Sequence, residues 1–180
     1  LLPANFLPIL TERLILRRFL DRDIDRFLAY RQDSQVARFQ SWSIPSPAQA
    51  QSFIKEMQAA ALGIPGEWIQ IAIAHRQSNL LIGDIGMQIE RENPTIVEIG
   101  FTLARPEQGQ GYAKEAVQAL IKSLFELGKI NQIIAITDIR NQASVNLLGR
   151  LGMKLVRSEQ VEWQGEFCLE QTFVLDKKDG

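Results

Sequence analysis

The spacing of apolar and polar positions divides the chain into short strands and amphipathic helices. Over 112–126 the apolar residues Ala113, Ala116, Val117, Leu120, Ile121 and Leu124 alternate in threes and fours with Lys114, Glu115, Gln118, Lys122 and Glu126. That spacing gathers the first set on one face and predicts a long helix buried along one side. Ahead of it, 98–103 is rich in β-branched and aromatic residues and reads as a strand. Arg105-Pro106 closes that strand, since proline donates no ladder hydrogen bond and keeps its predecessor out of the helical region. A glycine-containing loop joins the two.

The remaining pattern supplies the other elements. Leu14, Leu16 and Phe19 alternate with Ile15 and Arg17-Arg18 as a first strand. Asp21 is the predicted N-cap of a helix that faces inward with Ile24, Phe27 and Leu28. A short helical turn is expected over 36–39 and a loop over 41–47. Ser46, Pro47 and Gln49 read as N-cap, first-turn proline and capping-box partner of a helix burying Ala50, Phe53, Ile54 and Met57. The stretch Gly63-Ile64-Pro65-Gly66 ends it. Strands over 68–74 and 80–90 flank a turn at 76–79, and Gly83 and Gly86 predict a bulge or a close backbone approach. After a turn at 91–94 and the strand–loop–helix unit, 130–137 is an apolar strand. A polar loop at 138–141 leads to a helix over 142–151, with Gly152 just past its end. Two strands, 153–163 and 167–175, then flank a Gln164-Gly165 turn before a charged tail at 177–180. Without repeat, linker or low-complexity segment, the chain reads as one domain over 1–180, α/β in class and strictly mixed α+β.

Composition narrows the classes of function. A chain of 180 residues with 46% hydrophobic and 23% charged residues suits one ordinary globular domain. A formal net charge of −1 gives no broad footprint for nucleic acid or an anionic membrane. One cysteine, Cys168, excludes an intrachain disulfide and offers no zinc cluster, so a reducing cytoplasm is the expected setting and no metal is expected. No apolar run is long enough to span a bilayer, and the N-terminal LLPANFLPIL lacks the basic start and cleavage site of a signal peptide.

The loop before the long helix carries the most specific chemistry. Gln108, Gly109, Gln110, Gly111, Tyr112 and Ala113 bring several backbone N–H groups to a helix start, where the first four have no internal partner. Free donors at the positive end of the helix dipole favour an anion, and glycines let a phosphate approach the backbone. A P-loop is excluded because the run from Gly109 to Lys114 lacks the G-x-x-x-x-G-K-[ST] pattern, and Lys114 stands where a dinucleotide fingerprint needs glycine or alanine.

This stretch resembles the GNAT (Gcn5-related) N-acetyltransferases. Gln108-x-x-Gly111-x-Ala113 matches their Q/R-x-x-G-x-G/A signature, which holds the pyrophosphate of acetyl-coenzyme A. Glu98-Ile99-Gly100-Phe101 before it, Asn141-x-x-Ser144 and Gly152-Met153 after it, and the opening Thr11-Glu12-Arg13-Leu14-Ile15-Leu16-Arg17 look like the RimJ/RimL branch. The resemblance covers nearly the whole chain. It implies a mixed sheet of about seven strands with about four helices, splayed between the fourth and fifth strands. Splaying leaves backbone groups unpaired, and the amides of a pantetheine arm are suited to meet them. On that basis the coenzyme lies between 98–103 and 130–137. The implied coenzyme set is Phe101, Thr102 and Leu103 on the strand, Gln108 to Lys114 in the loop and first turn, and Asn141 and Asn146 beyond.

The reaction the resemblance implies is direct attack of an amine on the thioester. It requires a neutral amine, a stabilised oxyanion and a proton for the leaving thiolate. Deprotonating a lysine at pH 7 costs about 4.6 kcal/mol and an α-amine about 1 kcal/mol, so an N-terminal acceptor asks little of a base. Glu98 is the candidate base, with exposed-strand or arginine-paired roles as its plain alternative; Asp84, Glu67 and His75 are weaker candidates. Backbone N–H groups near Thr102 and Leu103 are candidates for the oxyanion hole. Many relatives carry a tyrosine acid seven residues after the asparagine, where this chain has Leu148. Ser144 is therefore the nearest candidate acid, against an ordinary first-turn serine. Asn141 either contacts the pantetheine or caps that helix. Trp42, Trp163 and Phe167 are expected at the acceptor wall or in ordinary packing, and Cys168 as an inert thiol without basic neighbours.

The branch implies a protein N-terminal amine as acceptor, with aminoglycosides, polyamines and other small amines as the alternative. Glu67, Asp84, Glu162 and Glu166 suit a cationic acceptor of either kind. A non-catalytic acyl-CoA sensor, a different acyl donor and a homodimer through exposed strand edges are the remaining alternatives.

Overall fold

The computed structural model describes residues 2–40, 42, 45–163 and 165–177, with Trp163 described by its backbone alone. Gln164 of the predicted final turn, residues 41, 43 and 44 of the predicted loop and residues 178–180 of the tail lie outside the described residues. Eight strands form one mixed sheet: β1 (Ile9–Leu10), β2 (Leu14–Arg17), β3 (Trp68–His75), β4 (Leu81–Ile89), β5 (Ile96–Leu103), β6 (Gln132–Asp138), β7 (Lys154–Trp163) and β8 (Glu166–Asp176). Among the described residues five helices accompany it: α1 (Ile24–Gln32), α2 (Ser34–Ala37), α3 (Pro47–Ala59), α4 (Tyr112–Glu126) and α5 (Gln142–Arg150). The mixed α/β class is the expected one. The eighth strand is β1, whose two residues are too few to leave an alternating pattern.

Strand order is β1-β2-β3-β4-β5-β6-β8-β7, and every neighbouring pair is antiparallel except β5 with β6. That parallel pair holds only at Ile96↔Gln132, Val97↔Ile133 and Glu98↔Ile134. Beyond Glu98 the strands part, while β5 stays on β4 as far as Leu103 and β6 stays on β8 as far as Asp138. The expected splay is therefore present, between the fifth and sixth strands because β1 moves the count by one. Glu98 is the last residue before the fork.

Alternation decides what each sheet face carries. Across β4 and β5, the rows Ile85–Phe101, Met87–Ile99 and Ile89–Val97 give an apolar face. Helix α4 packs its buried Ala116, Val117, Leu120, Ile121 and Leu124 there, touching β5, β2 and β1. The other face carries Asp84–Thr102, Gly86–Gly100 and Gln88–Glu98, and α1 and α3 cover its β3–β4 half. Full burial of an Ile or Leu side chain is worth about 1.5–3 kcal/mol, so one continuous core, from Leu14 and Leu16 to Phe173, fixes both layers on the sheet.

Three local outcomes follow from specific partners. The Ser46 capping box forms as expected: Gln49 N–H donates to Ser46 Oγ at 3.3 Å, and Ser46 N–H to Gln49 Oε1 at 2.8 Å. Asp21 is not the cap of α1. The buried Arg17 guanidinium draws Asp23 inward at 2.7 Å and 3.0 Å, and Asp23 also accepts from Leu20 N–H at 2.8 Å. A 3-10 turn over Asp21–Asp23 results, α1 starts at Ile24, and Asp21 accepts from Gln58 instead. Gly83 meets both expectations. The β3–β4 register shifts between Ile73 and Ala74 beside it, and an added Cβ would lie 2.1 Å from the Thr102 carbonyl oxygen. The turn residue Gly165 has φ +81°, in the left-handed region that glycine adopts without strain.

Candidate active site

The fork opens into a cleft of about 430 Å³. Its floor is the polar rows of β3, β4 and β5: Trp68 and Gln70, then Asp84 and Gly86, then Glu98, Gly100 and Thr102. Ile136, Asp138, Cys168 and Glu170 border it from β6 and β8, and Arg38, Phe39, Gln40 and Trp42 from the segment after α2. At Gly100 an added Cβ would meet nothing within 4 Å among the described residues, so glycine leaves this stretch open to them. Beyond Glu98 and Ile134 the facing edges of β5 and β6 are unpaired among the described residues, and they suit a slender chain bearing amides.

Four carboxylates border the cleft, and their partners separate their roles. Asp84 is 1% exposed and committed. It accepts from Arg31 Nη2 at 2.9 Å on both oxygens and from the Tyr30 hydroxyl. Burial, followed by the Asp84 charge, pushes the Tyr30 hydroxyl well above its ordinary range. Arg31 is in turn stacked against Trp42, its guanidinium carbon 3.5 Å from the ring centroid. Asp84 is thus a tie between α1 and β4, which removes it from the candidate bases. Asp138 is taken by Arg140, at 2.6–3.0 Å; those hydrogen bonds outweigh its burial and hold it below the usual carboxylate range.

Glu98 and Glu170 are different. Burial, then the charges of Glu90 and Glu170, pushes Glu98 up. Glu170 is pushed up by burial, then by Glu159 and Asp138. The register explains this crowding, because Asp138 pairs with Glu170 and Glu170 with Glu159 across three strands. A carboxylate raised in this way, half-buried at the mouth of a fork, is a stronger base than an ordinary one and is suited to accept a proton. Glu170 and Asp138 escaped the sequence reading because their neighbourhood is set by strand register. The one signal was alternation along β8, which puts Cys168, Glu170 and Thr172 on one face. Glu67, Glu162 and Glu166, read as acceptor-attracting, are exposed and do not border the cleft.

The loop between β5 and α4 closes one end of the fork. Gln108 ties it to the strand through Nε2 to the Leu103 carbonyl, 3.0 Å, and Gln110 Nε2 donates to the Pro106 carbonyl at 2.9 Å. Gly109 and Gly111 have φ of +76° and +83°, values that a residue with a Cβ adopts only at a cost. Among the described residues, the first backbone bond into the helix runs from Glu115 N–H to the Gly111 carbonyl, 3.1 Å. The N–H groups ahead of it are the free donors of a helix start. Lys114 stands exposed in the first turn and Tyr112 packs edge-on to His75, with ring centroids 5.1 Å apart. These features fit an anion and, leading from it, a narrow amide-bearing arm.

The remaining predicted residues divide. Phe101 and Thr102 border the cleft with Glu98, and Leu103 lies buried at the end of the same strand. Ser144, Asn141 and Asn146 do not border it; they belong to α5 and its start, beyond the end of β6. Asn141 caps that helix, its Oδ1 accepting from Ser144 N–H at 3.2 Å, and Gly152 lies just past its end at φ +80°. Leu148 is buried in the core, where a tyrosine hydroxyl would need a partner. His75 ends β3 and pairs with Glu107 at 3.2 Å, away from the cleft. Cys168 is buried with its thiol pushed up by burial, then by Asp138 and Glu170. The expectation that it lacks basic neighbours is corrected by Arg140, whose opposing influence is too small to lower it. Phe167 is 70% exposed. Among the described residues there is no cluster of metal-ligating side chains and no helix long and apolar enough to cross a membrane.

Comparison with known proteins agrees with this architecture. Residues 13–154 match the acetyltransferase (GNAT) domain family. The uncharacterized N-acetyltransferase p20 of Bacillus licheniformis is 32% identical over 146 residues, 80% of each chain. The uncharacterized N-acetyltransferase YoaA of Bacillus subtilis is 30% identical over 149 residues, 82% of this chain and 83% of its own. Among solved structures, a GNAT-family acetyltransferase from Bacillus anthracis superposes with a TM-score of 0.84 at 23% identity, covering 94% of this chain and 98% of that one. From the family match, the two relatives and the forked sheet with its glycine loop, it follows that the chain belongs to the GNAT family and is an acetyl-CoA-dependent N-acetyltransferase.

Proposed function

We propose that this enzyme acetylates a protein or peptide N-terminal amine, with Glu98 as the base and the β5–α4 loop as the coenzyme anchor. The observation that carries the reading is the coincidence of fork, loop and raised carboxylate. Glu98 is the last paired residue before the strands part, and the open stretch leads from it toward the free N–H groups around Gly109 and Gly111. Bound there, acetyl-CoA supplies the activated acetyl group. Gly111, Tyr112, Ala113 and Lys114 hold its phosphates, Gln108, Gly109 and Gln110 shape the loop, and Phe101, Thr102 and Leu103 line its arm. Glu98 takes a proton from the acceptor ammonium, directly or through one water, and an α-amine demands only about 1 kcal/mol of such help at pH 7. Of the two N–H groups at the end of β5, Leu103's lies on the edge turned to the fork and faces the developing oxyanion, while Thr102's is turned to β4. Ser144, in the first turn of α5 past the end of β6, is the proton donor for the leaving thiolate in this reading, with Asn141 and Asn146 beside the arm. None of the three borders the cleft, so this role requires the arm to pass the start of α5. A ribosomal-protein α-N-acetyltransferase, RimL, shares the fold with a TM-score of 0.78 at 19% identity, which keeps an N-terminal acceptor in view.

A second reading is favoured by the carboxylates. Glu170 and Glu98 crowd one side of a small cleft, which suits a small amine carrying a second positive charge, such as a polyamine or an aminoglycoside. The experiment is thiol release from acetyl-CoA with N-terminal peptides, lysine peptides, polyamines and aminoglycosides as acceptors. Release with free α-amine peptides supports the first reading. Release confined to the small polycations replaces it with the second, and binding without release to any acceptor turns the reading toward a sensor.

A further inference from the structure

The opening motif Thr11-Glu12-Arg13 has no part in the chemistry above, yet it reaches the coenzyme loop across about a hundred residues of sequence. Arg13 Nε donates to Glu115 Oε2 at 2.7 Å, and Arg13 N–H to Glu115 Oε1 at 2.9 Å. The Thr11 hydroxyl donates to the same Oε1 at 2.6 Å. Arg13 Nη1 donates to the Gln110 carbonyl at 3.1 Å, and the guanidinium lies 4.5 Å from the Tyr112 ring centroid. The Glu115 carboxylate is partly buried, which raises its pKa, but the bonds from Thr11 and Arg13 outweigh this and hold it below the usual range. The β2–β3 side holds the motif in turn: Arg76 N–H donates to the Arg13 carbonyl at 2.8 Å and Arg76 Nη1 to the Thr11 carbonyl at 2.7 Å.

We propose that Arg13, fixed by Glu115, is a positioning residue for the coenzyme loop. The reason is peptide geometry. In a trans peptide the carbonyl and the following N–H point in opposite directions. Arg13 takes the Gln110 carbonyl, so the Gly111 N–H of the same plane is directed away from Arg13, free for a phosphate oxygen. Gly111 itself is soft, since glycine at φ +83° has other conformations open to it. A planar guanidinium that binds a carboxylate through Nε and the carbonyl through Nη1 restricts that rotation; an ammonium lacks the fork. The inference rests on the reading of this loop as the coenzyme anchor.

The test measures CoA binding by calorimetry, with acetyl-CoA and acceptor kinetics alongside. Wild-type binding comes first, because its absence overturns the loop assignment and this proposal together. Arg13→Ala is expected to weaken CoA binding and raise the acetyl-CoA KM by about tenfold or more, the worth of a charge-assisted hydrogen bond. At saturating acetyl-CoA, kcat and the acceptor KM stay within about twofold. Arg13→Lys is expected to resemble Arg13→Ala; wild-type affinity in the lysine variant would show that charge alone suffices and would overturn the proposal. Glu115→Gln decides with the opposite sign. Removing a negative charge near the phosphates should tighten binding by electrostatics alone, whereas loss of the Arg13 anchor weakens it. Tighter or unchanged binding in Glu115→Gln overturns the proposal while leaving the coenzyme loop intact.

Discussion

Two carboxylates that border one cleft are set to opposite tasks by their partners. Among the described residues Glu98 has no cation beside it to offset burial and the charges of Glu90 and Glu170, so its raised pKa is a standing cost in the folded state. Below the ordinary carboxylate range it is protonated folded or unfolded and contributes nothing. As pH rises through the unfolded and then the folded pKa, the native state is penalised, and the penalty is complete above the folded value. Glu98→Gln is therefore expected to raise the melting temperature at pH 7 and lose that advantage in acid, while cutting kcat about 10²-fold. Its companion, Glu170→Gln, removes one of the charges that raise Glu98, so the acidic limb of kcat/KM should move to lower pH. A limb that stays in place would remove Glu98 from the base role. Asp84 behaves in the opposite way. Asp84→Ala strands the buried Arg31 and should cost about 3–5 kcal/mol in urea-induced unfolding, whatever its effect on rate.

The elements that sequence made legible are those whose instructions are local. The α4 stripe, the Ser46 capping box and the Gln108-to-Ala113 loop each sit within a dozen residues, and each forms where expected. Those it did not disclose depend on register. Nothing in 132–138 says that pairing with β5 stops after Ile134, or that Asp138 will face Glu170 and Glu170 face Glu159. Asp21 was misread for a similar reason, since a buried Arg17 claims Asp23 and moves the helix start. The open half of β5 yields a test at this scale. Gly100→Val adds a residue suited to strands at a position with no neighbour, among the described residues, within 4 Å of the new Cβ. The variant should melt no lower than wild type and yet lose turnover, because the side chain fills the fork. A fall in stability with unchanged kcat/KM would mean that the fork is not the reaction site.

At the scale of the whole molecule, charge is nearly balanced, with 20 basic and 21 acidic residues, but its distribution is not. On one side of the fork Asp138 and Glu159 are offset by Arg140 and Arg157, which leaves Glu98 and Glu170 as its negative charge, while at the loop end Arg13 is offset by Glu115 and Lys114 stands exposed. A molecule with no net field can thus present two local ones: one attracts an ammonium, the other a phosphate. The two acceptor classes then differ in how salt affects them. Glu98 and Glu170 are partly solvated, so their attraction for a polycation falls as the Debye length shrinks from about 30 Å at 0.01 M to about 3 Å at 1 M. For a polyamine acceptor, KM should rise steeply across that range, and Glu170→Gln should remove most of the rise. For a peptide α-amine, whose pKa leaves a large neutral fraction near pH 8, KM should rise far less and Glu170→Gln should change it little. The slope of log KM against log salt, measured for each acceptor with and without Glu170, therefore distinguishes a cleft shaped for a single amine from one shaped for a dication. A flat slope for every acceptor would show that the acidic side of the fork plays no part in choosing one.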